Sequence, residues 1–242
     1  KKNLLYNNRY KYSNKKTQMT SYLSFGSGPS LILGHGMAQN KKSWIETGWV
    51  DRLSSVRTVH VFDFEGHGSN EGKIDSRKLT VPEMTKNIDY LIENLGINDF
   101  DYMGFSMGAR AGFELASKNK KINKLISLGM HPGSPKFEER RFKKKSLAMK
   151  KLGDKTGKEN YFTYSKIFNE ALSWEGAYKK IKWKKENHLI VMGEKDDNFD
   201  LTEKLMNQNY KDNFLVLNGV NHKNTFDEPE HSIDAIINFL QT

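Results

Sequence analysis

The 242-residue chain reads as an α/β protein, a mostly parallel central sheet flanked by helices and carrying a helical insertion. Three observations predict it. Short β-prone apolar runs alternate with longer stretches of helical spacing. Each run closes in a turn containing glycine or aspartate. One gap of about sixty residues between the fourth and fifth core runs has helical composition and few strand signals, too long for a simple crossover.

In chain order, residues 4–12 and 18–25 suggest an antiparallel hairpin at the sheet edge. Core strands are expected at 31–33, 58–62, 101–105, 124–128, 188–192 and 213–217. Residues 81–95 place apolar side chains at 81, 84, 88, 91, 92 and 95, a helical period, and 109–116 and 232–240 behave alike. The expected organisation is a core domain of residues 1–130 and 188–242, interrupted by a helical cap at 131–187.

Composition narrows the function classes. Hydrophobic residues are 36% and aromatics 12%, enough for a sizeable core, and no apolar run approaches the length of a membrane span. The first residues, KKNLLYNNRY, lack the apolar stretch of a signal peptide, which favours a cytoplasmic address; a signal cleaved earlier would leave no trace. Zero cysteines exclude disulfides, a thiol nucleophile and a cysteine metal site. Of the net charge of +10, residues 136–187 carry +9 and the rest +1. Lysine supplies 32 of the 39 basic residues, whereas arginine is the residue that grips phosphates in pairs. The basic stretch, including 137–145, is therefore expected to be a solvated helical surface, with no nucleic-acid partner and no stable membrane insertion. Steering of an anionic substrate, or rest on an anionic membrane surface, is the sharper alternative.

The strongest chemical signal is Gly104-Phe105-Ser106-Met107-Gly108, entered from an apolar strand and running straight into helical sequence. A nucleophilic serine has to project from a sharp strand-to-helix turn, and small residues two before and two after relieve the crowding there. The helix that follows offers unpaired N–H groups to a developing oxyanion.

Together with Gly34-His35-Gly36-Met37 after an earlier apolar strand, this segment resembles the α/β-hydrolase superfamily, over nearly the whole chain. The resemblance implies that the backbone N–H groups of Met37 and Met107 form the oxyanion hole and that His35 braces its loop. Asp63-Phe64-Glu65-Gly66-His67-Gly68-Ser69 is similar to a structural turn of the family, so Asp63 and His67 are not expected to catalyse. The family places its acid in Gly193-Glu194-Lys195-Asp196-Asp197, which implies Asp196, with Asp197 the near alternative. Asn218-Gly219-Val220-Asn221-His222 resembles the histidine loop, which makes His222 the base. The order Ser106, Asp196, His222 is the one expected for this fold. His60, His131, His188 and His231 suit strands, turns or helix surfaces better.

The implied activity is a serine carboxylesterase working through an acyl-enzyme on small to medium esters, with no cofactor and no metal. A serine at the nucleophile position looks unlike the haloalkane dehalogenases and epoxide hydrolases of the fold. Ser106-Met107-Gly108-Ala109-Arg110 is also similar to the Ser-Met-Gly-Gly-Arg segment of the menaquinone-synthesis lyase. A C–C bond hydrolase, a non-hydrolytic lyase of that kind or a weakly turning-over ligand receptor therefore stay open as alternatives. The cap aromatics Phe137, Phe142, Tyr161, Phe162, Tyr164, Phe168, Trp174, Tyr178 and Trp183 are expected mostly to pack between cap and body, with some closing over the pocket.

Overall fold

The computed structural model describes residues 21–72, 74–118, 122–206 and 210–242. Seven strands, β1 (Tyr22–Phe25), β2 (Ser30–Gly34), β3 (Thr58–Phe62), β4 (Phe100–Phe105), β5 (Ile122–Leu128), β6 (His188–Gly193) and β7 (Phe214–Leu217), form one sheet in the order β1-β3-β2-β4-β5-β6-β7. Every neighbouring pair is parallel except β1 with β3. The second arm of the expected edge hairpin is β1, which pairs with β3; the first arm, 4–12, lies outside the described residues.

The inner strands are continuous apolar runs because helices cover both faces of a parallel sheet. Alternate side chains feed two separate cores. Ile32 and Tyr102 join the cluster beneath α3 (Val81–Leu95) and α4 (Met107–Lys118), while Leu31, Leu33 and Met103 join that beneath the other helices. The second face is covered by α1 (Lys41–Glu46), α2 (Trp49–Leu53) and, at the chain end, α9 (Ile233–Gln241). Helix α3 matches its expected span, since the Thr80 side chain accepts from Glu83 N–H at the start and Gly96, at φ 65°, ends it.

Between β5 and β6 the chain forms α5 (Glu139–Thr156) and α6 (Glu159–Ala171), which pack on each other, and no strand. Phe142, Tyr164, Ile167 and Trp174 of this segment bury in the same cluster as α3 and α4. Phe137 and Leu147 stay exposed. After β6 come α7 (Phe199–Met206) and, after β7, the single turn α8 (Asn224–Asp227). No helix among the described residues is long and apolar enough to cross a membrane.

Candidate active site

Ser106 forms the corner between β4 and α4 with φ 52°, a left-handed conformation uncommon for any residue but glycine. Two glycines make the corner sterically feasible. A Cβ on Gly108 would stand 2.1 Å from Gly34 O, and one on Gly104 would stand 2.5 Å from Ala109 N. Helix α4 thus sits directly against the end of β2, where no side chain fits. The buried Tyr102 hydroxyl donates to Gly108 O at 2.8 Å, and Ser106 N–H donates to Leu128 O at 2.9 Å, tying the corner to β5.

His222 lies in the loop between β7 and α8, its ring 4.9 Å from that of Phe105. Its Nε2 is 3.1 Å from Ser106 Oγ and its Nδ1 is 2.6 Å from Asp196 Oδ2. The Asp196 side chain is fully buried beyond the end of β6. Its other oxygen accepts from Asn198 N–H at 2.8 Å and from Asn198 Nδ2 at 2.9 Å. Nδ2 also donates to Gly129 O, and Arg141 of α5 donates to Asn198 Oδ1. A Cβ on Gly129, at φ 64°, would come within 3.2 Å of both His222 and Asp196, so the turn after β5 has to be glycine. Of the adjacent acids, Asp196 therefore reaches His222, whereas the Asp197 side chain is 74% exposed and lies 3.8 Å from Arg141.

Met37 and Met107 flank Ser106 around one cavity, and neither backbone N–H is used in turn or loop hydrogen bonds among the described residues. The Met37 loop is held from behind. Gly36 N–H donates to Gln39 Oε1 at 2.8 Å, and the fully buried His35 bonds Gly36 O through Nδ1 at 2.8 Å while its Nε2 accepts from Phe64 N–H. Burial lowers His35 to about 4 and His67 to about 3, so both rings are neutral near pH 7, and His67 stacks on Tyr164 of α6.

Asp63 does structural work. It accepts from Lys41 N–H, Lys41 Nζ and Ser69 N–H, and so clamps α1 to the turn after β3. Burial alone would raise its carboxyl, but these hydrogen bonds outweigh burial and hold it below the ordinary value. A depressed native value stabilises above the unfolded value near 4 and is lost as pH falls through the folded one. Lys41→Met should therefore cost about 3–5 kcal/mol at pH 7, because it strands a buried carboxylate. The gap between wild type and variant in urea melts should narrow as pH falls through the depressed Asp63 value and the carboxylate protonates. Equal stabilities at pH 7 would show that the clamp contributes nothing.

The cavity measures about 260 Å³. Its walls include Met84, Phe142, Ile167 and Phe168, and its polar lining adds Arg110, Arg141, Lys145 and Lys223 to Ser106 and His222. Two of the nine expected aromatics of 131–187, Phe142 and Phe168, thus face the pocket. Others pack: Trp174 Nε1 donates to Glu114, and Trp183 sits against Phe113 and Tyr210. Helix α5 is also less purely a solvated surface than its charge pattern suggests, since Arg141 and Lys145 turn toward the cavity. Residue-type reasoning missed Asn198 and Arg110; a polar side chain two residues after a candidate acid was the only available signal for the first. Among the described residues, no group of three or more His, Asp or Glu could hold a metal.

With this geometry in hand, residues 29–152 match the family model for the alpha/beta hydrolase fold. The chain belongs to that family. Pimeloyl-[acyl-carrier protein] methyl ester esterases of Vibrio campbellii and Nitrosospira multiformis are 29% and 23% identical to this α/β hydrolase over 119 and 166 residues. Those stretches are 49% and 68% of this chain but only 42% and 62% of the relatives' length. A fluoroacetate dehalogenase of Burkholderia is 30% identical over 118 residues, 47% of this chain and 38% of its own. Among solved structures, the enol-lactonase of Burkholderia xenovorans superposes with a TM-score of 0.71 at 16% identity, over 92% of this chain and 96% of that one. E-2-(acetamidomethylene)succinate hydrolase gives 0.69 at 18%, over 92% and 95%. At such identities the likeness is one of fold.

Proposed function

We propose that this α/β hydrolase is a serine ester hydrolase acting on small to medium acyl esters through an acyl-enzyme. One observation carries the reading: an unbroken hydrogen-bonded series from Ser106 Oγ through His222 to the buried Asp196 at the wall of a cavity. The esterase names of two relatives agree with it. The similarity to a dehalogenase leaves the reaction to be read from the site, where residue 106 presents a hydroxyl.

In this mechanism His222 Nε2 takes the Ser106 proton as Oγ attacks the ester carbonyl. Asp196 keeps the Nδ1 proton in place and stabilises the imidazolium that forms. The Met37 and Met107 N–H groups receive the oxyanion, each worth about 10²–10³ in turnover. His222 then protonates the departing alkoxide, and the same ring activates the water that releases the acyl group. Residues 131–187 act as a cap on a core formed by residues 1–130 and 188–242. The acyl chain lies against Met84, Phe142, Ile167 and Phe168.

Hydrolysis of p-nitrophenyl esters from acetate to decanoate tests the reading, together with fluorophosphonate labelling followed by peptide mapping. The expected result is turnover that peaks at short to medium chains and a label on Ser106. An unlabelled serine and inertness on every ester would sink it, and the lyase and receptor readings would replace it.

A further inference from the structure

The serine-hydrolase reading leaves a buried cation without a task. Arg110 follows Ser106 by one helical turn, its N–H donating to Ser106 O at 3.1 Å. Residues four apart share a helix face, about 6 Å along the axis. Arg110 is only 5% exposed, yet it lines the cavity that holds Ser106. Its Nη2 donates to Met130 Sδ at 2.9 Å, a weak acceptor, and its buried Nε has no partner. The rings of Phe142 and Trp174, at 5.0 and 6.0 Å, offer partial compensation.

The nearby carboxylates are committed elsewhere. Glu138 pairs with Arg141 at 2.5 Å and with His131 at 3.0 Å. Glu114 accepts from Trp174 Nε1 and pairs with Lys118. No carboxylate pairs with Arg110 among the described residues, and none of the residues outside that set is Asp or Glu. A buried guanidinium ordinarily meets an acid, because its desolvation is otherwise uncompensated. Burial lowers Arg110 to about 10, which still leaves it cationic at neutral pH. Arg141 and Lys145 add positive charge to the same cavity.

We propose that Arg110 is the anchor for a carboxylate carried by the substrate, so that the cavity takes esters whose short acyl chain ends in a free carboxylate in preference to neutral esters. The planar guanidinium fork matches a carboxylate in paired hydrogen bonds, and such an anion would balance the buried charge from the cavity side. The one-turn offset from Ser106 sets the spacing: the ester carbonyl sits at the serine while a few methylenes bridge to the guanidinium. The inference rests on Ser106 acting as the nucleophile.

The test compares monomethyl glutarate and monomethyl adipate with methyl pentanoate and methyl hexanoate, by pH-stat at low salt. The wild type should favour the carboxylate-bearing member of each pair by about tenfold or more in kcat/KM, mostly through KM. In Arg110→Met, its fold checked by circular dichroism, that ratio should fall to about one or below, with Arg110→Lys recovering part of it. If Arg110→Met does not fold, Arg110→Lys decides: glutarate should inhibit methyl pentanoate hydrolysis by the wild type competitively, pentanediol should not, and the glutarate inhibition should weaken in Arg110→Lys; undiminished inhibition there overturns the assignment. Turnover of the neutral esters without any preference, and without inhibition by glutarate, overturns the Arg110 assignment and spares the esterase reading. Inertness of the wild type on all four esters removes both.

Discussion

Ser106→Ala is expected to lower kcat by about six orders of magnitude on any ester the wild type hydrolyses, with KM little changed and the fold intact. The substitution removes one hydroxyl whose hydrogen bond is to His222, and alanine keeps a Cβ at a corner that already tolerates one at φ 52°. The acid can be located in the same experiment. Asp196→Asn should cost about 10⁴ in kcat, because an amide facing His222 Nδ1 favours the wrong tautomer. Asp197→Asn should stay within a few-fold, since that side chain points to solvent beside Arg141. Kinetics of the three purified variants on one ester suffice. Near wild-type turnover in Ser106→Ala would end the nucleophile assignment, and a reversal of the two aspartates would move the acid by one residue.

The second large effect is expected at a residue with no side chain. Gly108→Val should destabilise the protein by about 3 kcal/mol or more, at or beyond the upper end of overpacking costs. The atoms in the way, Gly34 O at 2.1 Å and His35 O at 2.7 Å, are backbone and cannot swing aside as a flexible side chain would. Relief requires α4 to back away from β2, which carries the Met107 N–H away from the Met37 N–H. A loss of about 10²–10³ in kcat should therefore accompany the loss of stability. Gly157→Ala is the comparison. It has open space around its Cβ position and φ 68°, so about 1 kcal/mol and unchanged turnover are expected. Urea titrations and kcat measured on both variants check this, and equal penalties at the two sites would show that the close approach of α4 is not limiting.

The sheet was legible in the residues because parallel strands covered on both faces have to be apolar throughout, and 58–62 and 81–95 fall where the patterns place them. The short α1 and α2 were not. No expected element covered residues 41–53, and what folds α1 is the Asn40 cap and the Lys41–Asp63 pair, which joins positions 22 apart in the chain. The grouping of Ser106, Asp196 and His222 was what the resemblance to the α/β-hydrolase superfamily implied, with their order along the chain as a check. The distinction between Asp196 and Asp197 was not legible, because it depends on one residue of loop geometry, fixed by Asn198 and by the missing side chain of Gly129. Arg110 stood in the sequence only as the last residue of Ser106-Met107-Gly108-Ala109-Arg110, and only the packing of Phe142 and Trp174 over it reveals a buried charge.

The bond from Arg141 to Asn198 has a bearing on how such an enzyme could change over time. Asn198 is the clip that seats Asp196, and Arg141 belongs to the helix above the cavity. Roof and machinery thus share a bolt. A lineage that exchanges residues 131–187 for another helical segment, by recombination or by a designer's graft, exchanges part of the support of Asp196 along with the cavity wall. New specificity and the rate at which it is exercised would be inherited as a package, and a borrowed roof would first have to supply a donor for Asn198.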